Sequence, residues 1–411
     1  MNPAYTDRGQ LQVSALAEKG TEPISGAKVR ISDPADGTVL SELTTDSSGQ
    51  TETVDLPAPS IAYSVAETDE RPYATYNVTV MAEGYRTIHI GGVQLLPDSL
   101  SLQGIAMEKA APGGFNVTNY RIEPHTLWGS YPTKIPEEEV KHLPEPEGLV
   151  VLPEPVIPEF IIVHLGKPQD SSAKNQWVYF KDYIKNVASS EIYSTWTPET
   201  IKANVLAIIS FTLNRVYTEW YRGKGYDFTV TNSTAYDQAF VPERTIFDSI
   251  SQTVDDIFST YITKEGIVQP LLTQYCDGRR VQCSGLSQWG SQALGEQGMS
   301  AINILRRYYG ADIYLDTAKK VQGVPQSYGG EVLQVGASGE AVRTIQQQLD
   351  RVAKNFPAIP KIAADGIYGN DTKGAVKVFQ KVFHLPQTGE VDFATWYEIS
   401  NAYVAVTGIA E

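Results

Sequence analysis

The chain has 411 residues, 42% of them hydrophobic, and a formal net charge of −15. That length predicts two to four domains with real cores. The charge excludes the basic stripe that nucleic acid requires and argues against docking on anionic lipid.

Residues 9–109 read as all-β. Leu11, Val13 and Ala15 alternate with polar residues, and so do Val29 and Ile31, then Val78, Val80 and Ala82. Turn clusters such as Asp46-Ser-Ser-Gly49 separate the runs, which predicts a β-sandwich. Ile24-Ser-Gly-Ala-Lys-Val-Arg-Ile31, Thr45-Asp-Ser-Ser-Gly49 and Glu83-Gly-Tyr85 together resemble the carboxypeptidase-regulatory-like sandwich, a module that spaces or joins other domains.

Residues 110–170 hold Pro132, Pro136, Pro144, Pro146, Pro153, Pro155 and Pro158, and are expected to be an extended, semi-rigid linker. Residues 171–314 carry helical periodicity. Phe180, Tyr183, Ile184, Val187, Ala188 and Glu191 fall on one face. Thr197 can cap a second helix, Pro198 suits its first position and Glu199 its positive end. Its apolar residues, among them Ile201, Val205, Ile209 and Leu213, surround it, so it is expected to be the buried central element. Ile246 to Phe258 form another amphipathic pattern, and Ser300 to Gly310 a last helix with a serine cap and a closing glycine. Residues 315–330 read as a second linker.

Glu191 continues an apolar helix face and sits at that helix's negative end, because Trp196-Thr-Pro198 blocks a long continuation. Burial and the dipole both disfavour its charged form, so its pKa should rise. A carboxylic acid held protonated near neutral pH is what a general acid for glycosidic cleavage requires. The bland alternative is a glutamate bonded to a backbone group. Cys276 and Cys283 are the only cysteines. They suit a disulfide closing a short turn or two buried thiols, and the sequence offers no four-ligand metal set.

Tyr183-Ile-Lys-Asn-Val-Ala-Ser-Ser-Glu191, Trp196 and Lys202-Ala203 resemble the core of the sporulation protein D family. Gly285-Leu-Ser-Gln-Trp-Gly290, Gly298 and Ile304-Leu-Arg-Arg-Tyr-Tyr-Gly310 resemble its closing motif. The family's members are lytic transglycosylases, which cut the MurNAc–GlcNAc bond of peptidoglycan and leave a 1,6-anhydro end. The resemblance implies Glu191 as the catalytic acid and base, with no cofactor. It implies substrate contacts from Gln282, Ser287 and Gln288, and from Asp237 and Gln238, whose bland reading is a hydrogen-bonded turn. Two positions depart from the pattern: Gln282 stands where the family has histidine, and Ile209-Ser210-Phe211 where it has Arg-Thr-Tyr.

Near the end, Leu333-Gln-Val-Gly-Ala-Ser-Gly339, Asp365-Gly-Ile-Tyr-Gly369 and Thr395-Trp396 punctuate two helical stripes. Residues 331–403 thereby resemble the type 1 peptidoglycan-binding domain, a three-helix module, with Asp371 available as a cap. Gln346, Tyr368 and Gln380 are candidate ligand contacts there, each with a structural alternative. The whole reads as a multidomain α+β protein: an N-terminal β-sandwich, a mainly helical centre and a three-helix C-terminal module. Its implied partner is the peptidoglycan glycan strand, with no membrane insertion, since no apolar run reaches the length of a span. Its expected place is the cell envelope, the spore or the exterior, although Met1-Asn-Pro-Ala-Tyr-Thr-Asp-Arg8 lacks a signal-peptide profile. A non-enzymatic wall-binding scaffold and a self-assembling surface subunit are the competing readings.

Overall fold

The computed structural model describes residues 5–17, 20–113, 116–141 and 154–408. Pro144, Pro146 and Pro153 lie outside them. The N-terminal part contains β1 (Asp7–Ala17), β2 (Lys28–Ser32), β3 (Val39–Thr44), β4 (Val54–Ala58), the short helix α1 (Ala62–Val65), β5 (Ala74–Met81), β6 (Thr87–Leu95), β7 (Leu100–Met107) and β8 (Val117–Arg121). Five of these form a sheet in the order β3-β2-β5-β6-β8, antiparallel except for the parallel β6–β8 pair. Period-2 alternation sends Val29, Ile31, Val78 and Val80 inward, where they meet Leu11, Val13 and Ala15 in one buried cluster. The predicted turn at Asp46–Gly49 is present. Asp46 Oδ1 accepts from the Ser48 and Gln50 amides at 2.8 and 3.2 Å. Gly49 has φ +75°, and a Cβ there would stand 2.6 Å from the Ala15 carbonyl.

The centre adds β9 (Val156–Ile157), β10 (Phe160–His164), β11 (Asn175–Tyr179), α2 (Phe180–Glu191), α3 (Pro198–Tyr217), β12 (Val230–Thr231), β13 (Ile246–Phe247), α4 (Asp248–Ile257), β14 (Thr260–Lys264), β15 (Tyr275–Cys276), β16 (Leu286–Ser287), α5 (Gln288–Glu296) and α6 (Ala301–Tyr309). β13 leaves this region to pair antiparallel with β7, so the second N-terminal sheet runs β13-β7-β1-β4. The two regions are thus stitched through the backbone. Helix α3 is buried on all sides. Thr197 accepts from the Thr200 amide at 3.3 Å and Pro198 opens the helix. Ser300 does occupy the cap position of α6, but its hydroxyl makes no capping bond. The Glu199 carboxylate takes the Ala301 amide instead, at 2.6 Å.

Beyond β17 (Ile313–Thr317) and β18 (Lys320–Val321) come α7 (Glu340–Val352), α8 (Asn370–Val382) and α9 (Phe393–Thr407). Gly369, not Asp371, is the cap residue of α8, and Asp371 sits in its first turn. The three helices share one continuous buried cluster with the centre. Phe258 packs on Phe393 and Tyr397 with ring centroids 5.3 and 5.1 Å apart, and Lys181 pairs with both Asp255 and Glu398.

Neither expected linker is a free tether where it is described. In 315–330 the Gln326 carbonyl accepts from Trp396 Nε1 at 3.0 Å. In 116–141 the proline-rich chain is strapped across the centre. The Ile135 amide donates to Ala235 O at 2.7 Å, and Gln274 bonds both the Glu137 amide and the Ile135 carbonyl. Gln269 does the same for both backbone groups of Lys141. Side chains from the core take up the hydrogen bonds that proline keeps out of a regular ladder.

Candidate functional site

Glu191 is the last residue of α2, and the chain leaves the helix at once, with Ile192 extended. The apolar face of Tyr183, Ile184, Val187 and Ala188 is fully buried and draws Glu191 in with it, to 3% exposure. It forms the floor of a cavity of about 410 Å³. The rim residues Ser130, Pro132 and Arg280 are exposed, so this cavity opens to solvent.

One carboxylate oxygen of Glu191 accepts from the Ala239 amide at 2.7 Å. The other, Oε2, is buried without a hydrogen bond of ordinary geometry. Burial pushes the carboxyl above its usual range, while Lys134, the Tyr275 hydroxyl and the Ala239 amide pull it back. Tyr275 is aimed by Gln238, whose Nε2 donates to the phenol oxygen at 3.1 Å. That leaves the phenol's own proton for an acceptor such as Glu191. Chemically this is a buried carboxyl with one oxygen fixed by the Ala239 amide and the other beside the Tyr275 hydroxyl, a group that can exchange a proton next to an open cavity.

Of the predicted substrate contacts, only Gln288, the first residue of α5, lines this cavity. Asp237 is fully buried and spends both oxygens internally, on Arg215 Nε, the Tyr221 hydroxyl and the Thr231 amide and hydroxyl. Gln238 is fully buried too, shared among Tyr183, Thr212, Tyr275 and the Ile208 carbonyl. These two build the wall behind Glu191 and do not reach the cavity. Ser287 caps α5 by accepting from the Gly290 amide at 2.9 Å. Gln282 is exposed and turns back to the Gly278 carbonyl at 2.6 Å. Ile209 lies in the core with no exposure.

Cys276 and Cys283 are joined in a disulfide. It closes a loop organised by Asp277, whose carboxylate accepts from the amides of Arg279, Arg280 and Val281. Cys276, Asp277, Arg280 and Val281 form one rim of the cavity. Among the described residues no group of three or more His, Cys, Asp or Glu is placed to hold a metal ion.

The opposite rim comes from the segment read as a linker. Thr126, Trp128, Gly129, Ser130, Tyr131, Pro132 and Lys134 all face the cavity. The strap grips the end of the Glu191 helix: the Thr126 amide donates to Ser190 O, and His125 Nε2 lies 3.2 Å from Ile192 O. His125 Nδ1 accepts from the Leu127 amide, so Nε2 carries the proton. Burial holds this imidazole neutral, with its pKa well below the usual range. Lys134 is buried. Its ammonium donates to the Asp237 carbonyl and lies 4.7 and 5.1 Å from the ring centres of Phe211 and Tyr275. Burial lowers its pKa to about 8, against the pull of Glu191 and Asp237. Sequence reasoning missed Lys134, because its partners are more than fifty residues away and proline content dominated the local signal.

In the C-terminal helices, Gln346, Tyr368 and Gln380 are almost wholly buried, at 1%, 1% and 0% exposure. Gln346 Oε1 accepts from the Gly366 amide and Gln380 Oε1 from the Gly389 amide, each at 2.8 Å. Tyr368 donates to the Gly389 carbonyl at 3.0 Å. Each satisfies backbone groups at a glycine turn, which is the structural alternative open for these three residues.

Residues 338–399 match the family model for the peptidoglycan-binding domain. The N-acetylmuramoyl-L-alanine amidase CwlL of Bacillus licheniformis is 25% identical over 230 residues, covering 54% of this chain. The chain spans 60% of the length of that curated relative. Among solved structures, the N-terminal domain of SleB is 30% identical, covering 19% of this chain and 99% of that one at a TM-score of 0.17. The Bacillus anthracis TIE protein is 17% identical, covering 25% of this chain and 17% of that one at a TM-score of 0.18. No described helix is long and apolar enough to cross a membrane. The C-terminal helices are a type 1 peptidoglycan-binding domain.

Proposed function

We propose that this is a cell-envelope protein that holds peptidoglycan through its C-terminal domain and cuts glycan strands at Glu191, as a lytic transglycosylase of the sporulation protein D type. Residues 9–109 act in this reading as a β-sandwich scaffold, 171–314 as the catalytic domain and 331–403 as the wall anchor. The described parts of the intervening segments, 116–141 and 315–330, act as structural straps. The observation that carries the reading is the buried Glu191 carboxyl, its pKa raised by burial, lining an open cavity. The likeness to a wall amidase supports the choice of polymer.

Protonated Glu191 gives its proton to the glycosidic oxygen as the MurNAc C1–O bond breaks, and the GlcNAc leaves as an alcohol. The C6 hydroxyl of the same MurNAc attacks C1 and returns its proton to the Glu191 carboxylate. A 1,6-anhydro ring forms, no water is consumed, and the acid is restored. A single carboxyl suffices, unlike the two-carboxylate arrangement of ordinary glycosidases. Lys134 supplies the cation that Ile209 and Gln282 do not.

Purified sacculi digested with wild type and Glu191→Gln test the reading by mass spectrometry of the soluble products. Release of anhydro-muropeptides by wild type alone is expected. Equal release by both, or none by either, overturns it. A second reading, a wall-binding scaffold without turnover, is favoured by the position of Gln282, turned away to Gly278. It predicts co-sedimentation with sacculi and no soluble product.

A further inference from the structure

A second cavity of about 520 Å³ lies between the five-stranded N-terminal sheet and the strap. Trp128 lines both this cavity and the one over Glu191. The wall between them is the loop 124–131. It is held rigid by Tyr131 Oη to Pro124 O at 2.5 Å, by the Gly129 amide to His125 O at 2.7 Å, and by Arg280, which donates to the Trp128 and Gly129 carbonyls.

The lining of the second cavity contrasts with the chain as a whole. The protein has 48 acidic residues against 33 basic ones. Yet this cavity's charged lining residues are Arg71 and Arg121, with no Asp or Glu among them. Arg71 has one nitrogen on the Tyr5 hydroxyl and its guanidinium 5.7 Å from the Tyr73 ring centre. Behind the wall, Arg244 is 4% exposed. It donates to the Glu123 carbonyl at 3.0 Å, while its Nε and Nη1 have no hydrogen-bond partner among the described residues. A third, buried cation therefore adds positive potential at this place. Gln94, on the inner wall, has a buried Oε1 that also lacks a partner. The cavity thus offers an anion the Arg71 and Arg121 guanidinium groups, and an N–H donor the Gln94 side chain. Tyr120 and Trp128 provide flat amphipathic surfaces beside them.

We propose that this cavity is a recognition subsite for the carboxylate carried by a muramic acid residue of the glycan strand, one stretch of chain beyond the bond over Glu191. The proposal rests on the reading of the Glu191 cavity as the glycan site. The carboxylate has two possible sources, the lactyl group of a peptide-free strand or the stem peptide attached to it. Both present an anion next to amide N–H groups and a sugar ring.

The test is calorimetric binding of three soluble glycan fragments to Glu191→Gln protein, which removes turnover. One fragment has free lactyl groups, one carries stem peptides, and one has its lactyl carboxylates converted to methylamides. At least one anionic fragment is expected to bind about tenfold tighter than the neutral one, the worth of a charge-assisted hydrogen bond. The tighter of the two anionic fragments identifies the source. Arg71→Gln/Arg121→Gln is expected to abolish the difference between the anionic and neutral fragments. Arg121→Gln alone, at an exposed position, is expected to halve the effect without risk to folding. Equal binding of all three fragments, or no binding, overturns the subsite. Turnover of sacculi with equal binding sinks the subsite alone. Discrimination without turnover sinks the catalytic reading alone.

Discussion

The strap is the feature on which the site's shape depends, and Arg215 is its principal fastening. Arg215 has no side-chain exposure. It reaches Asp237 at 2.8 Å, both oxygens of Glu137 at 2.6 and 3.0 Å, and the Tyr236 carbonyl at 3.0 Å. Its charge is held firmly, because Asp237 and Glu137 outweigh the cost of burial. Replacing it by methionine leaves two carboxylates without their guanidinium, and breaking a buried pair costs about 3–5 kcal/mol. The low end applies here. Asp237 keeps Tyr221 and Thr231, and Glu137 keeps Lys141 at 2.6 Å. A loss of about 3 kcal/mol corresponds to an opening equilibrium on the order of 100-fold larger. Hydrogen exchange of the Ile135 and Leu272 amides reads this opening, since they bond Ala235 O and Glu139 O across the strap. Their protection is expected to fall by about two orders of magnitude in Arg215→Met. The triple change Arg215→Met/Glu137→Gln/Asp237→Asn is expected to recover most of it. Burial raises the Glu137 pKa, but the paired Arg215 and Lys141 outweigh it and leave the net shift downward. Its stabilisation is therefore present above the unfolded carboxylate range and lost as pH falls through the folded pKa. Wild-type strap protection should weaken on acidification, and Arg215→Met should blunt that dependence. Unchanged protection in the variant would refute the fastening argument.

Native Glu191 keeps its proton to higher pH than the unfolded chain does. Both states are protonated below the ordinary value of 4.5, and above it wild type loses about 1.4 kcal/mol for each unit of elevation. Glu191→Gln is therefore expected to melt above wild type at about pH 7 and level with it near pH 4, by calorimetry; a variant that melts lower at about pH 7 contradicts the burial argument. Reduction of Cys276–Cys283, seven residues apart, removes about 2.5 kcal/mol of loop-closure stabilisation on the chain-entropy model. It should raise exchange in the 276–283 rim before any other part unfolds. Gln380→Leu strands the Gly389 amide and the Glu390 carbonyl, at about 1–3 kcal/mol each. Sedimentation with sacculi should weaken as the C-terminal helices destabilise, and unaltered melting of that module would show the bonds to be dispensable.

The repeating patterns were legible. Alternation placed Leu11, Val13 and Ala15 in a sheet, and the 3.6 period placed Glu191 at the end of a buried helix face. The capping roles of Thr197 and Pro198 were equally local. What the sequence hid was non-local. Proline between 132 and 158 argued for extended, semi-rigid chain, and nothing nearby revealed that Gln269 and Gln274 would hydrogen-bond the 135–141 backbone. For the same reason Lys134 and Trp128 were invisible as cavity residues. The glutamines at 346 and 380 carried the opposite lesson. Their polarity suggested ligand contact, yet buried turns at Gly366 and Gly389 need the same amide groups. Polarity alone does not tell these uses apart.

Digestion of sacculi in water enriched in oxygen-18 bears most directly on the chemistry at Glu191. The account predicts soluble muropeptides one water lighter than hydrolytic products and free of the heavy isotope, since the C6 hydroxyl attacks C1. Reducing ends carrying oxygen-18, or no released fragments at all, would contradict it.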